Sequence, residues 1–426
     1  MPHSRLLFAA APSLLALAVT AVACGGSTDT PKAADPVVEQ DAGTYVPVTP
    51  PDAGVIPDDV LNPNYPAPHA PMPKISYHGG RVLHNIQVVT ITYAGDPLKE
   101  RLETFGDTIV ASPWWDAISA GYTDKDGPVG RGSSYGHVVL PAEPTVTAYI
   151  DSSQGGASSI QDLIKARVAD GTFPPPTENS LYAIYYPQSV VITHDGDKSC
   201  DRFGAYHNTV MVKHPPTGVD MPAPYAIMPR CGASEKRLTV SASHELTEAT
   251  TDPDIGLGEL SYYMDNQAWA PAGGENGDLC VDFLGNNDTT LESTYTVQRS
   301  WSDVAAAGGH DPCIPVPPSE IYFNAAPTAA QQTVQLKVGE TKTITVDAFS
   351  DAPINDWTVS AVDYGRYTGS AAVLDFEWDK STANNGSHRQ LKVTLTSRPS
   401  QSYVPYAIVS KKGNITHLWP AMINAR

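Results

Sequence analysis

The character of the chain changes at about Pro315, and this change limits the folds that the sequence can adopt. Upstream, β-branched runs such as Ile86–Tyr93 are followed by segments whose apolar residues recur every three or four positions, as in amphipathic helices. Downstream, short β runs are separated by Gly, Pro, Asn and Asp. We therefore predict an α+β core over residues 74–316 and an immunoglobulin-like β-sandwich over residues 317–426. The helices predicted in the core are Leu98–Trp115, Ser159–Ala169 and Ser234–Thr251.

The N-terminus has the pattern of an export signal. A short basic segment is followed by an apolar run over residues 6–23 that ends in small residues. The end of this run, Ala21-Val22-Ala23-Cys24, resembles a bacterial lipobox, with Ala21 where leucine is usual. We predict a lipoprotein-type signal peptide over residues 1–24, lipidation of Cys24 and attachment to a membrane through that lipid. The alternative is an ordinary signal cleaved near Ala23, which would release an extracellular protein.

The next segment, residues 25–73, is rich in Pro, Asp, Ala and Thr. Its few large apolar residues cannot bury enough surface to offset the entropy of ordering the chain. We predict that it is a disordered tether that holds the folded part away from the membrane.

Charge and cysteine content narrow the function classes. The formal net charge is −19, so nucleic acid is a poor partner, because phosphate binding needs a basic surface. Besides Cys24 the chain has four cysteines, and an even number in an exported protein predicts two disulfides. Proximity in the sequence favours Cys200 with Cys231 and Cys280 with Cys313, although three connectivities are open. A four-thiolate zinc site is the alternative, but there is no CxxC pair.

The most informative motif is HExxE at residues 244–248, on the predicted helix that ends near Thr251. Residues four apart share a helix face, so His244, Glu248 and Asp252 form one row, with Glu245 beside it. Imidazole and carboxylate groups both bind zinc, and the motif therefore predicts a metal site. The alternative is a solvated polar face, because so short a motif also occurs by chance. A separate apolar stripe is formed by Leu238, Ala242, Leu246 and Ala249.

In the related HExxH motif, two histidines bind zinc and the glutamate acts as a general base. Here Glu248 replaces the second histidine, which makes the site more anionic and also suits calcium or manganese. A further ligand is needed, and Glu275 or Asp278 is the first choice, since their loop lies beside Cys280. His207 is another candidate upstream.

Taken together, these motifs make the chain similar to the phosphate-induced protein 1 family, whose plant members are the EXORDIUM-like secreted proteins. The chain also resembles exported bacterial proteins with the same signature. The resemblance covers roughly residues 75–315 and implies an extracellular location and one site formed by His244, Glu245, Glu248 and the Glu275/Asp278 loop. The plant pattern has a second cysteine next to its Gly-x-His element, where this chain has Gly204-Ala205. The matching pieces are Tyr77-His78-Gly79-Gly80, the strand from Val88 to Tyr93, Cys200 with Tyr206-His207, Cys231, His244-Glu245-Leu246 with Glu248 and Asp252-Pro253, Glu275 with Asp278-Leu279-Cys280, and Cys313 after Trp301.

The sequence hypothesis is therefore a zincin-like, metallopeptidase-type core in which His244 and Glu248 bind Zn²⁺ and Glu275 or Asp278 completes the site. Glu245 then takes a proton from the water that attacks a peptide carbonyl.

Two rival functions stay open at this point. In one, the same acids hold a structural Ca²⁺ in a non-enzymatic extracellular module that binds cell-wall glycan or another surface protein. In the other, two of the carboxylates hydrolyse a glycan without a metal.

Overall fold

The structure is a computed structural model that describes residues 62–141, 147–152, 158–270, 273–281, 288–354, 356–365 and 371–426. The predicted signal peptide, Cys24 and residues 25–61 of the predicted tether lie outside these ranges. The described residues have a mixed α+β fold in which strands predominate, and they all belong to one compact unit. Within these ranges, no helix is long and apolar enough to cross a membrane.

The core contains helices α1–α5 and strands β1–β16. The helices are α1 Lys99–Thr108, α2 Pro113–Ser119, α3 Ile160–Ala169, α4 Glu235–Thr251 and α5 Asp303–Ala307. The strands are β1 Ser76–Tyr77, β2 Gln87–Tyr93, β3 Thr123–Asp124, β4 Gly127–Pro128, β5 Ser133–Leu140, β6 Ala148–Ile150, β7 Ser180–Tyr186, β8 Val191–His194, β9 Asp197–Lys198, β10 Tyr206–Lys213, β11 Asp220–Pro229, β12 Tyr262–Tyr263, β13 Thr289–Glu292, β14 Tyr295–Gln298, β15 Ser300–Trp301 and β16 Cys313–Ile314.

Five of these strands form the central sheet, in the order β10-β11-β7-β2-β5. Strands β11, β7, β2 and β5 are parallel, whereas the edge strand β10 is antiparallel to β11. One face of the sheet packs against α1, α2 and α4, and the other packs against α3. A sheet covered on both faces needs apolar side chains on both, which explains the continuous runs QVVTITY in β2 and SLYAIYY in β7.

The C-terminal part consists of two sheets around a shared apolar core. Their orders are β17-β19-β23-β21 and β18-β25-β24-β20-β22. Most neighbours are antiparallel, as the sandwich prediction requires, but β18 pairs with β25 in parallel. The strands are β17 Phe323–Pro327, β18 Thr333–Leu336, β19 Thr341–Ser350, β20 Trp357–Asp363, β21 Leu374–Trp378, β22 Thr382–Ala383, β23 His388–Leu395, β24 Tyr403–Lys412 and β25 Ile415–Ala425.

The tether prediction is wrong for residues 62–73, which pack against the C-terminal sheets. Ala67 and Met72 are buried, and the ring of His69 stacks on Phe349 with centroids 3.6 Å apart. The buried side chain of Asn385 accepts a hydrogen bond from the backbone N–H of Ala67 and donates to carbonyls of the same segment. The few apolar residues of this segment are enough to order it, because they pack onto the apolar core of the C-terminal sheets.

The two folded parts meet in one continuous apolar cluster rather than in a solvated linker. At its centre, Trp269 of the core lies edge-on to Trp301 and to Trp419 of β25, with ring centroids 5.2 and 5.4 Å apart. All three indoles are buried. Because aromatic pairs of this kind add packing energy beyond the buried area, the core and the C-terminal sheets stabilise each other.

Both predicted disulfides are present, joining Cys200 to Cys231 and Cys280 to Cys313. Disulfides form and persist in oxidising compartments, so the protein belongs in an extracellular or otherwise oxidising environment. The second disulfide fixes the loop over residues 273–281 to β16.

We expect Asn385→Ala to destabilise the fold by roughly 2–4 kcal/mol, because it leaves buried backbone N–H groups of Ala67 and Ser350 without an acceptor. The measurement is the free energy of unfolding in urea. Asn414→Ala, in an exposed turn, is the control and should change that energy by about 0.5 kcal/mol or less. Equal effects of the two substitutions would contradict this role of Asn385.

A second prediction concerns pH. Burial of His417 at the junction lowers its pKa to about 4. The contribution of neutral His417 to the free energy of unfolding is therefore fully present above pH 6.5. It is lost as the pH falls towards 4, since the unfolded chain then binds a proton that the folded chain does not. Between pH 7.5 and 4.5 this loss should be about 2–3 kcal/mol. In His417→Leu this part of the pH dependence should disappear, and identical pH profiles of unfolding free energy would show the prediction to be wrong.

Candidate metal centre

Helix α4 carries the HExxE motif and is buried along almost its whole length, from Leu238 onwards. The predicted apolar stripe packs on the sheet, as expected. The row of polar residues is buried too, because β10, β14 and the loop over residues 273–281 lie against it. The one-turn spacing brings His244 Nε2 within 3.0 Å of Glu248 Oε2. Glu245 Oε1 lies 4.0 Å from the same nitrogen.

The loop over residues 273–281 adds Asp278 to this group. Asp278 Oδ1 lies 3.7 Å from His244 Nε2, and the backbone N–H of Asp278 donates to Glu248 Oε1 at 2.9 Å. Since Oε1 of Glu248 is held by this hydrogen bond, Oε2 is the oxygen presented to the histidine. Of the two acids proposed as a further ligand, the structure thus brings Asp278 to His244, while Glu275 lies elsewhere in the cluster.

Strand β10 contributes His207, which lies among three carboxylates. Its Nδ1 is 3.4 Å from Glu245 Oε2 and 3.7 Å from Glu248 Oε2. Its Nε2 is 3.4 Å from Glu275 Oε1. The structure therefore brings together all the residues predicted for the metal site except Asp252. Asp252 lies at the edge of this cluster, where its Oδ1 accepts a hydrogen bond from the backbone N–H of Ser261.

Gln298 of β14 is a part of the centre that the sequence analysis missed. Its Oε1 lies 3.2 Å from His244 Nδ1, and its Nε2 donates to the carbonyl of Gly277 at 2.7 Å. Because a carbonyl only accepts, this second bond fixes the amide with its oxygen towards the histidine. His244 Nδ1 must then donate, which leaves Nε2 facing the acids as a possible metal ligand. No short motif links residues 54 positions apart, so only the fold reveals this contact.

Gly277 allows the loop to approach the helix closely. A Cβ at this position would lie 2.8 Å from both Glu248 Oε1 and His244 Nδ1. Its φ is −74°, which any residue can adopt, so only the lack of space requires glycine here.

The two buried histidines are strongly basic in this surrounding. Burial lowers the pKa of His244, but Glu248 and Glu245 more than offset it and raise the pKa to about 10. Burial likewise lowers the pKa of His207, whereas Glu275 and Glu245 raise it, again to about 10. Both imidazoles therefore lie where a positive charge is favoured.

Most of the carboxylates lie where a negative charge is disfavoured, because burial removes them from water. Burial raises the pKa of Glu245 and Glu275. It also raises the pKa of Asp278 and Asp252 to about 7 in each case. Only Glu248 is held below its usual pKa. Burial raises that pKa, but the charge and hydrogen bond of His244, together with His207 and the backbone N–H of Asp278, outweigh the burial. In the ranges that the structure describes, no lysine or arginine pairs with these acids, so cations or protons must balance their charge.

Two sets of three ligand atoms lie within 4.8 Å of one another: His244, Glu248 and Asp278 form one, and His207, Glu245 and Glu248 form the other. Among the described residues, Glu245 Oε1 is buried without a hydrogen-bond partner. Buried polar atoms without a partner are rare, and a bound cation would account for this one. The donor types and their spacing fit a divalent metal ion.

Comparisons with known proteins add no family to this description. No family model matches the chain, and no curated protein matches it. Among solved structures, a Bacteroides ovatus GH5 xyloglucanase in complex with a heptasaccharide is 9% identical with a TM-score of 0.16, over 24% of this chain and 18% of that one. A chimeric titin Z1Z2 protein is 11% identical with a TM-score of 0.17, over 25% and 93% of the two chains. The titin M3 domain is 9% identical with a TM-score of 0.17, over 25% and 96%. Similarities of this size support no conclusion about function.

We expect Gly277→Ala to destabilise the protein by roughly 1–3 kcal/mol, because the new methyl group overlaps His244 and Glu248. Gly130→Ala is the matched control, since a Cβ there comes no closer than 3.3 Å to the end of the Asn85 side chain. The free energy of unfolding measures both changes. A stability of Gly277→Ala equal to that of the control would rule out the close approach.

Proposed function

We propose that the protein is an exported, lipid-anchored, metal-dependent hydrolase of the metallopeptidase type. The observation that carries this proposal is the convergence of His244, Glu248 and Asp278 within 4.8 Å, with Glu245 beside them. The three side chains come from a helix and from a loop fixed by a disulfide. Ligands on such rigid elements keep the geometry that a metal requires.

The donor set favours zinc over calcium. Calcium takes oxygen ligands, whereas imidazole nitrogen suits zinc and related transition metals. This cluster places two imidazoles, His207 and His244, among its acids. The hydrogen bond from His244 Nδ1 to Gln298 is the kind of outer contact that orients a histidine ligand in metal sites.

Each residue then has a distinct role. His244 Nε2, Glu248 Oε2 and Asp278 Oδ1 would hold the metal ion, which when bound would supply Lewis acidity that polarises a carbonyl and makes water more acidic. Glu245 keeps Oε1 free of other partners among the described residues. Burial raises the pKa of this carboxylate, and a more basic carboxylate accepts a proton from water more readily. It can return that proton to the departing amine of a peptide.

Two further features support a zincin-like core and the proposed membership of the phosphate-induced protein 1 family. Helix α4 lies on the central sheet beside the edge strand β10, so the HExxE motif is placed between a rigid layer and a covering loop. The residues that carried the family resemblance, including His207 and the loop from Glu275 to Cys280, meet at this one place.

A structural metal site in a non-enzymatic surface-binding protein is the second candidate, and the burial of the cluster favours it. His244, Glu245 and Glu248 are each no more than 3% exposed. Closed metal sites are typical of structural ions, whereas catalytic sites keep one position open. In this candidate the ion, calcium or zinc, stabilises the loop beside the junction with the C-terminal sheets.

The first test is elemental analysis of the purified protein together with a screen for hydrolysis of peptide substrates. We expect bound zinc that is lost in His244→Ala, and hydrolysis that stops on chelation. Glu245→Gln should keep zinc at the His244 position but lower the rate at least 100-fold, because the proton acceptor is gone. The control is Glu377→Gln, an exposed position in the C-terminal sheets, which should leave both properties unchanged.

The alternatives give different results in the same experiment. Metal that stabilises the protein without any hydrolysis in the wild type identifies the binding module. Hydrolysis of glycans that is indifferent to chelators identifies a glycosidase. A Glu245→Gln variant as active as the wild type would refute the assignment of Glu245 as the base.

A further inference from the structure

The two sets of ligand atoms share one oxygen. Glu248 Oε2 lies 3.0 Å from His244 Nε2 and 3.7 Å from His207 Nδ1, so a single carboxylate oxygen lies between the two imidazoles. The other oxygen of Glu248 is occupied by the backbone N–H of Asp278. A carboxylate in this position can contact two ions at once, and two-metal sites in hydrolytic enzymes have ions about 3.5–4 Å apart.

Both histidines are arranged in the same way. His244 faces acids with Nε2 and has an acceptor, Gln298 Oε1, next to Nδ1. His207 faces acids with Nδ1 and has an acceptor, Glu275 Oε1, 3.4 Å from Nε2. A metal-binding histidine almost always donates its remaining N–H to a carboxylate, a carbonyl or another acceptor. The second histidine therefore meets the requirements of a ligand as well as the first does.

We propose that the centre binds two divalent cations, the second held by His207 Nδ1, Glu245 Oε2 and the shared oxygen of Glu248. This inference rests on the metal centre proposed above and adds an ion to it. Glu275 acts as a positioning residue that holds the His207 ring. Glu245 gives one oxygen to the second ion, and its Oε1, which has no hydrogen-bond partner among the described residues, faces the first.

The test is a titration of the metal-free protein with Zn²⁺, followed by native mass spectrometry. We expect two ions per chain in the wild type and one in His207→Gln. In Glu275→Gln the second ion should bind roughly 10–100-fold more weakly, as for other outer-shell changes. His137→Gln is the matched control, because this histidine also contacts two acids, Glu103 and Asp107, but is itself exposed. It should still bind two ions.

Each contrary result has its own meaning. One ion in both the wild type and His207→Gln would overturn the second site while leaving the proposed function intact. No ion in the wild type would overturn both proposals. Two ions that persist in His207→Gln but not in His137→Gln would place the second ion at the surface and overturn this proposal.

Mn²⁺ provides a readout that does not depend on how well a variant folds. Two Mn²⁺ ions joined by the carboxylate of Glu248 should give the exchange-coupled electron paramagnetic resonance spectrum of a spin pair in the wild-type protein. Two independent single-ion spectra would show that the ions are not neighbours and would contradict the proposed geometry.

Discussion

The enclosure of several acids beside helix α4 is the constraint on which the rest of this structure depends. A buried carboxylate is expensive unless it is paired, and here the pairing groups are two histidines on different elements. To bring His207 and His244 to the same acids, the edge strand β10 and helix α4 must be held in fixed relation by the central sheet. The loop from residue 273 to residue 281 must also approach the helix closely, which the lack of a side chain at Gly277 permits.

This loop connects the centre to the C-terminal sheets. Asp278 points to His244, whereas the neighbouring Leu279 and Cys280 belong to the apolar cluster that the core shares with the β-sandwich strands. The disulfide from Cys280 to Cys313 fixes the loop on that side. The loop over residues 273–281 thus presents acids to the centre and apolar residues to the C-terminal sheets. Packing at the junction consequently supports the position of Asp278, although none of the described C-terminal residues is part of the centre.

Several structural features that depend on local sequence patterns were predicted from the sequence. Helices α3 and α4 match their predicted bounds within one residue, because regular apolar spacing and Pro253 define them. The predicted helix from Leu98 to Trp115 is instead two helices, since Ser112 and Pro113 start a new one with its own side-chain cap. Both disulfide pairings are confirmed. Strand β5 was missed because its residues, SSYGHVVL, are largely polar at the edge of the sheet.

Contacts between distant segments were the part that the sequence did not predict. The packing of residues 62–73 depends on Asn385, more than 300 positions away, and the orientation of His244 depends on Gln298. A hydrogen bond of this kind leaves no periodicity in the sequence. The HExxE motif predicted which residues take part, but only the fold decided that Asp278 joins His244 and that Glu275 joins His207.

The unsatisfied atoms bear on whether the centre is only structural. A purely structural site gains stability by giving each buried polar atom a partner, since every unpaired one costs free energy. In this centre Glu245 Oε1 is buried with no hydrogen-bond partner in the part of the chain that the structure describes. Natural proteins tolerate such violations chiefly where function requires them. The oxygen of Glu245 that lacks a partner beside two imidazoles is therefore a position where the proposed metal ions would supply the missing contact.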